Sequence, residues 1–90
     1  MILTIAEVAD FDQFLQTFST RGVEKRREHG CKGSWVFRDP DDPNRVWAVF
    51  DWELEDYQKF LVDPEIPAIA AELGVRGTPL MAVSVAGYDS

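Results

Sequence analysis

The order of secondary-structure signals predicts an α+β fold. It is a ferredoxin-like βαββαβ sandwich, with a four-stranded antiparallel sheet and two helices on one face. Three observations lead there. Four β-rich segments are spread over 90 residues. Two stretches between them repeat apolar residues at helical spacing. A dense turn sequence joins the middle two strands directly, as a hairpin requires.

The first strand is Ile2 to Val8, with Ile2, Leu3, Ile5 and Val8 apolar. Asp10 then reads as an N-cap, with Gln13 three residues on as in a capping box. Phe11, Phe14, Leu15 and Phe18 build one apolar helix face, which Gly22 and Val23 continue more weakly. The helix is expected to run to Glu28–Gly30. Lys25, Arg26 and Arg27 in its last turns suit the macrodipole, and Gly30 suits the stop. Lys32 to Arg38 reads as the second strand and Arg45 to Trp52 as the third, joined by the turn Asp39-Pro40-Asp41-Asp42-Pro43-Asn44. Leu54 to Val62 reads as helical. Asp63-Pro64 breaks and restarts that helix, with Asp63 as a cap and Pro64 at the first position. Ile66, Ile69, Ala70 and Leu73 repeat the helical spacing until Gly74. Arg76 to Pro79 reads as loop and Leu80 to Ala86 as the fourth strand.

An antiparallel sheet with one wet face should alternate apolar and polar residues, and this one scarcely does. In the third strand Val46, Ala48, Phe50 and Trp52 oppose Trp47 and Val49. In the second Trp35 and Phe37 oppose Val36, and in the first Leu3 and Ile5 oppose Ile2. Two helices cover one face only. An apolar patch on the other marks an interface, and each large side chain buried there contributes roughly 1.5–3 kcal/mol. A homodimer packed sheet to sheet is therefore expected.

Composition narrows the function. Nine Lys and Arg against sixteen Asp and Glu give a net charge of −7, which disfavours nucleic acid and anionic membrane surfaces as partners. One cysteine and one histidine exclude an internal disulfide and Cys-rich or His-rich metal sites. No apolar run approaches a membrane span. Residues 1–10 lack the basic start of a signal peptide. One cytoplasmic domain spanning 1–90, with no metal and no cofactor, is expected.

His29 is the one side chain that titrates near neutrality. It is a candidate general base, but its position beside Arg26 and Arg27 at the end of the first helix favours a C-terminal cap. Trp35, Trp52, Tyr57 and Phe60 are candidates for lining a pocket for a flat ligand, or for packing the core and interface. Arg38 and Asp51 are expected to pair across the hairpin at the surface. Asp39, Asp41 and Asp42 lack the glycine and glutamate that a calcium loop requires and read as a turn. Cys31 reads as a small apolar filler unless His29, two residues away, activates it. Arg21, Lys25, Arg26 and Arg27, interleaved with Glu24 and Glu28, read as a solvated, salt-bridged face. Gly74 to Pro79 lacks the spacing and the preceding strand of a phosphate loop.

His29-Gly30-Cys31-Lys32-Gly33, then Val36 to Asn44, then Phe50-Asp51-Trp52 and Phe60-Leu61 before Asp63-Pro64 together resemble the dimeric α/β-barrel superfamily. They resemble most its small antibiotic-biosynthesis-monooxygenase-like and cyclase-like members. The resemblance spans nearly the whole chain. It implies a sheet-paired dimer, often with a ligand cavity between each sheet and its helices. The superfamily includes cofactor-free monooxygenases of polycyclic hydroquinones, haem-degrading enzymes, muconolactone isomerases and proteins without known activity. The haem-degrading pattern needs a histidine on the second helix, and none stands between Leu54 and Leu73. Two expectations follow. One is a cofactor-independent monooxygenase or cyclase-like enzyme, with a sheet–helix cavity for an apolar or aromatic molecule. The other is a non-catalytic dimeric binding or accessory module whose cavity its own side chains fill.

Overall fold

The computed structural model describes residues 1–90. Its elements are β1 (Ile2–Val8), α1 (Phe11–Phe18), α2 (Arg21–Glu28), β2 (Gly33–Arg38), β3 (Arg45–Asp51), α3 (Leu54–Leu61), α4 (Ile66–Leu73) and β4 (Val75–Val83). The strands form one sheet in the order β2-β3-β1-β4, with every neighbouring pair antiparallel. This is the ferredoxin-like arrangement that the element order predicts. No helix is long and apolar enough to cross a membrane.

The expected cap of the first helix is present, since the Asp10 carboxylate accepts the Gln13 backbone N–H at 2.9 Å. The Gln13 side chain does not return the bond. It donates to the Glu72 carbonyl at 2.8 Å, tying α1 to the end of α4. The helix itself does not run unbroken to Glu28. It stops at Phe18 and restarts at Arg21. The hydroxyls of Ser19 and Thr20 donate to the Gln16 carbonyl, at 3.2 and 2.7 Å, and so compete with the helical ladder. The second helical interval divides as Asp63-Pro64 predicts. However, Asp63 and Pro64 form a turn in which Asp63 accepts the Glu65 N–H at 2.9 Å, and α4 starts only at Ile66.

The fourth strand starts at Val75, five residues before Leu80, and ends at Val83, short of Ala86. Arg76 to Pro79 is therefore strand and not loop. Val75 and Arg76 pair with Val8 and Glu7, and the register shifts between Glu7 and Ile5. Gly77 takes φ +69° beside this irregularity, a conformation that other residues adopt at a cost. Pro79 is tolerated because β4 is an edge strand.

The pairing fixes the two faces. Ile2 faces Phe50, and Ala6 faces Val46. Ile2, Val8, Val46, Ala48, Phe50 and Trp52 are buried beneath Phe14, Phe18, Tyr57 and Ile69, and Ala6 is half-buried among them. Leu3 pairs Val49, Ile5 pairs Trp47 and Leu80, Trp35 pairs Val49 and Phe37 pairs Trp47. These residues form the other face, which no helix covers. Trp35 is 50% exposed and Phe37 53%. Arg38 and Asp51 do not pair. They lie at opposite ends of the hairpin, opposite Val46 and Gly33 respectively, and the Arg38 guanidinium stacks 4.2 Å over the Phe11 ring.

Candidate functional site

His29 and its neighbours meet where the end of α2 touches the turn between α3 and α4. His29 follows α2 as its C-cap residue. Its Nε2 lies 2.8 Å from Asp63 Oδ2. Its carbonyl accepts the Trp52 indole N–H at 2.8 Å, and its ring meets Phe60 edge-on at 5.9 Å. The indole fixes the main chain and the carboxylate fixes the ring.

Asp63 is ionised across the ordinary pH range. The Glu65 backbone N–H, then His29 and Lys25, draw its carboxyl down to about 2. An ionised carboxylate only accepts, so His29 Nε2 donates and the lone pair of the neutral ring sits on Nδ1. Nδ1 has no hydrogen-bond partner within the chain, and the imidazole is 21% exposed. An imidazole held in this way can chemically accept a proton at Nδ1. Lys25 completes the cluster, 3.2 Å from Asp63 and 2.6 Å from Glu28, with Glu65 as a further partner. Glu28 and then Glu65 hold its ammonium well above the usual lysine range. Glu28, His29 and Asp63 bring three donor atoms within 4.8 Å of one another, but the Lys25 ammonium already lies against both carboxylates.

Three of the four aromatic candidates form one wall beside His29. Trp52 meets Phe60 at 4.9 Å and Tyr57 at 5.3 Å, both edge-on. Trp52 and Tyr57 are buried and Phe60 partly so. Burial pushes the Tyr57 hydroxyl above its ordinary value. Trp35 is not part of this wall. Strand alternation places it on the uncovered face, on the far side of the sheet.

Two of the hollows in the surface are the most pronounced. One, of about 360 Å³, lies on the uncovered face among Leu3, Phe37, Arg38, Trp47 and Val49. The other, of about 290 Å³, lies among the charged residues Arg21, Glu24, Lys25, Glu28 and Glu65. Neither lies between the sheet and the helices, where a ligand cavity is expected. There Phe14, Phe18, Phe50, Trp52 and Tyr57 pack ring against ring.

The acidic turn is organised around Asp39, which accepts the Trp47 indole N–H at 2.8 Å and the Asp41 backbone N–H at 2.8 Å. Burial raises the Cys31 thiol above its ordinary value, which leaves it protonated at neutral pH. The basic run is not one solvated face: Arg21 pairs with Glu72 and Arg27 is exposed, but Lys25 is buried in the Asp63 cluster and Arg26 is buried. Sequence reasoning missed Asp63 and Lys25 as partners of His29. The one local signal was Asp63 at a break in a helix.

No protein-family model matches the chain, and no curated protein matches it. Solved structures do share its fold. SnoaB of Streptomyces nogalater, a cofactor-independent oxygenase, superposes with a TM-score of 0.75 at 14% identity, over 99% of this chain and 95% of its own. A Deinococcus radiodurans protein classed with the antibiotic biosynthesis monooxygenases gives 0.68 at 16%, over 100% and 98%. One from Nitrosomonas europaea, classed likewise, gives 0.65 at 16%, over 98% and 100%.

Proposed function

We propose that this chain is a cytoplasmic, cofactor-independent oxygenase acting on a flat aromatic molecule, and that it works as a homodimer paired through the uncovered sheet face. The observation that carries the enzymatic reading is the His29–Asp63 pair at 2.8 Å, set against Phe60 and the Trp52 wall. The shared fold with a cofactor-independent oxygenase supports it, although a fold alone does not select an activity.

The chemistry needs little from the protein. An electron-rich ring with an acidic C–H or O–H gives its proton to His29 Nδ1. The resulting anion supplies the electrons that reduce dioxygen. One oxygen atom enters the ring carbon as a carbonyl. The other leaves as water, with both hydrogens drawn from the substrate. His29 holds and returns the proton, Asp63 stabilises the imidazolium formed, and the aromatic wall aligns the ring and excludes water. The half-buried Phe60 and part-exposed imidazole provide an approach from the surface. The uncovered face supports the dimer, since Trp35, Phe37 and Leu80 are each at least half exposed there.

The test is oxygen consumption with anthrone and naphthohydroquinones as probes, for the parent and for His29→Gln. Uptake above the protein-free rate that falls at least tenfold in the variant supports the reading. Uptake equal in both removes His29 from the chemistry. One observation favours a second reading, a non-catalytic dimeric module. The interior between sheet and helices is filled by the protein's own rings. A panel of flat hydroxyaromatics that leaves the melting temperature unmoved supports that module instead.

A further inference from the structure

Lys25 is a buried charge to which the chemistry above gives no task. It stands four residues before His29, the C-cap of α2, so the two side chains share a helix face. Both reach the same atom, Asp63 Oδ2, with Lys25 Nζ at 3.2 Å and His29 Nε2 at 2.8 Å. The other oxygen, Oδ1, is taken by the Glu65 backbone N–H at 2.9 Å. The carboxylate therefore has no second oxygen to turn toward the imidazole. Three N–H groups on the ammonium match three carboxylates, those of Glu28, Asp63 and Glu65. The side chains of Lys25 and Asp63 are 9% and 13% exposed, whereas Glu28 and Glu65 are each 61% exposed. Water screens the two glutamates, while ammonium, carboxylate and imidazole act on one another at close range.

We propose that Lys25 is a positioning residue for His29: by sharing Asp63 Oδ2 it lets the carboxylate orient the imidazole without holding a proton on it. The inference rests on the reading of His29 as a base and assigns the residue that keeps that base unprotonated at rest. A carboxylate alone beside an imidazole favours the imidazolium, because an opposite charge stabilises the charged form. An ammonium fixed on the same oxygen opposes this, because the ring's positive charge would then face another at short range. Lys25 stays protonated wherever an imidazole titrates, so its opposition is constant.

The other charges around His29 make this opposition necessary. Glu28 comes from α2, and Asp63 and Glu65 come from the turn before α4. Asp56 of α3 lies beside the next residue, since a Cβ on Gly30 would stand 3.3 Å from Asp56 Oδ2. Of the cations in the same stretch, Arg26 turns to the Phe18 ring and Arg27 is exposed. Lys25 is the cation set among these acids. Without it they would act together to hold a proton on the ring, and a base must be unprotonated before it can act.

The test is a ¹H NMR titration of the imidazole in the full chain, from about pH 5 to about pH 8.5. His29 is the only histidine, so its ring C–H signals identify themselves. Lys25→Met is expected to move the titration midpoint up by about one pH unit or more. Lys25→Gln, which leaves a donor for the carboxylates and guards against a folding defect in the methionine variant, should move it up likewise. Lys25→Arg restores the charge and should return the midpoint toward that of the parent. A lysine that only tethers α2 to the turn would lower the melting temperature of the neutral variants and leave the midpoint in place. An unmoved or lowered midpoint in both neutral variants, or an equal rise in Lys25→Arg, overturns the proposal. Oxygen uptake separates it from the reading beneath it, because the acid limb of the parent's pH profile should rise with the midpoint in Lys25→Met. A midpoint that moves as expected, in a protein that consumes no oxygen, would refute the oxygenase and leave the role of Lys25 standing. Oxygen uptake with an unmoved midpoint would refute the role of Lys25 alone.

Discussion

Phe37→Glu should convert a dimer into a folded monomer. Phe37 lies on the uncovered face opposite Trp47, and about half of it, 53%, is exposed. An aromatic side chain presents roughly 200 Å², so about 100 Å² of Phe37 remains for a partner to cover. At about 25 cal/mol per Å² this is worth about 2.5 kcal/mol. A two-fold interface uses the same patch twice, so the loss doubles to about 5 kcal/mol. That is between three and four decades in the dissociation constant, before the cost of burying two carboxylates. Sedimentation velocity across micromolar concentrations should show the parent near twice 10.2 kDa and the variant near 10.2 kDa. Far-UV circular dichroism should be unchanged, because nothing in the helix-side core touches the position. A parent that stays monomeric, or a variant that stays dimeric, refutes the sheet-to-sheet interface.

The Asp39 carboxyl is held below the usual range, first by the Trp47 indole N–H and next by the Asp41 backbone N–H. A depressed pKa contributes stability above the ordinary value of 3.8, and that contribution is lost as pH falls below it. Trp47→Phe should therefore destabilise the fold at pH 7, with a difference from the parent that shrinks below pH 3.8 in urea titrations at several pH values. A constant difference across that window would assign the loss to packing alone. Trp52→Ala removes a ring that is 4% exposed, together with its bond to the His29 carbonyl. It should cost about 3–5 kcal/mol in chemical denaturation, and a loss below 1 kcal/mol would show that the aromatic wall is not part of the core. Gly22→Ala drives a Cβ to 2.7 Å from Arg26 Nη1 and 3.2 Å from the Thr17 carbonyl. Where the buried guanidinium cannot yield, overpacking costs about 1–3 kcal/mol. An unchanged melting temperature would show that Arg26 moves freely.

The strands and both faces of the sheet were legible because strand periodicity is local. Val46, Ala48 and Phe50 alternate with Trp47 and Val49, and the observed register keeps them apart. What escaped depends on competition within a turn or on distance along the chain. Phe11 to Glu28 reads as one helix until the hydroxyls of Ser19 and Thr20 are seen to bond the Gln16 carbonyl. Arg76 to Pro79 carries turn residues, yet a register shift against β1 absorbs them into a strand. His29 was recognisable as the one group of its kind, whereas Asp63 lies 34 residues away with no pattern linking them. Trp35 was grouped with Trp52 by residue type, and the pleat puts it on the other face. Arg26 sits in a run of charges that reads as solvated. Its place four residues after Gly22 on the Phe18 stripe was the available sign of burial.

The proposed oxygenation, with His29 as the base, is open to one decisive experiment. The direct measurement is turnover of anthrone under ¹⁸O₂, with the product analysed by mass spectrometry. The parent should form anthraquinone carrying one labelled oxygen faster than the protein-free control, and His29→Gln should fall to the control rate. Product formation at the control rate with the parent, or equal rates of labelled product with parent and variant, would contradict this reading.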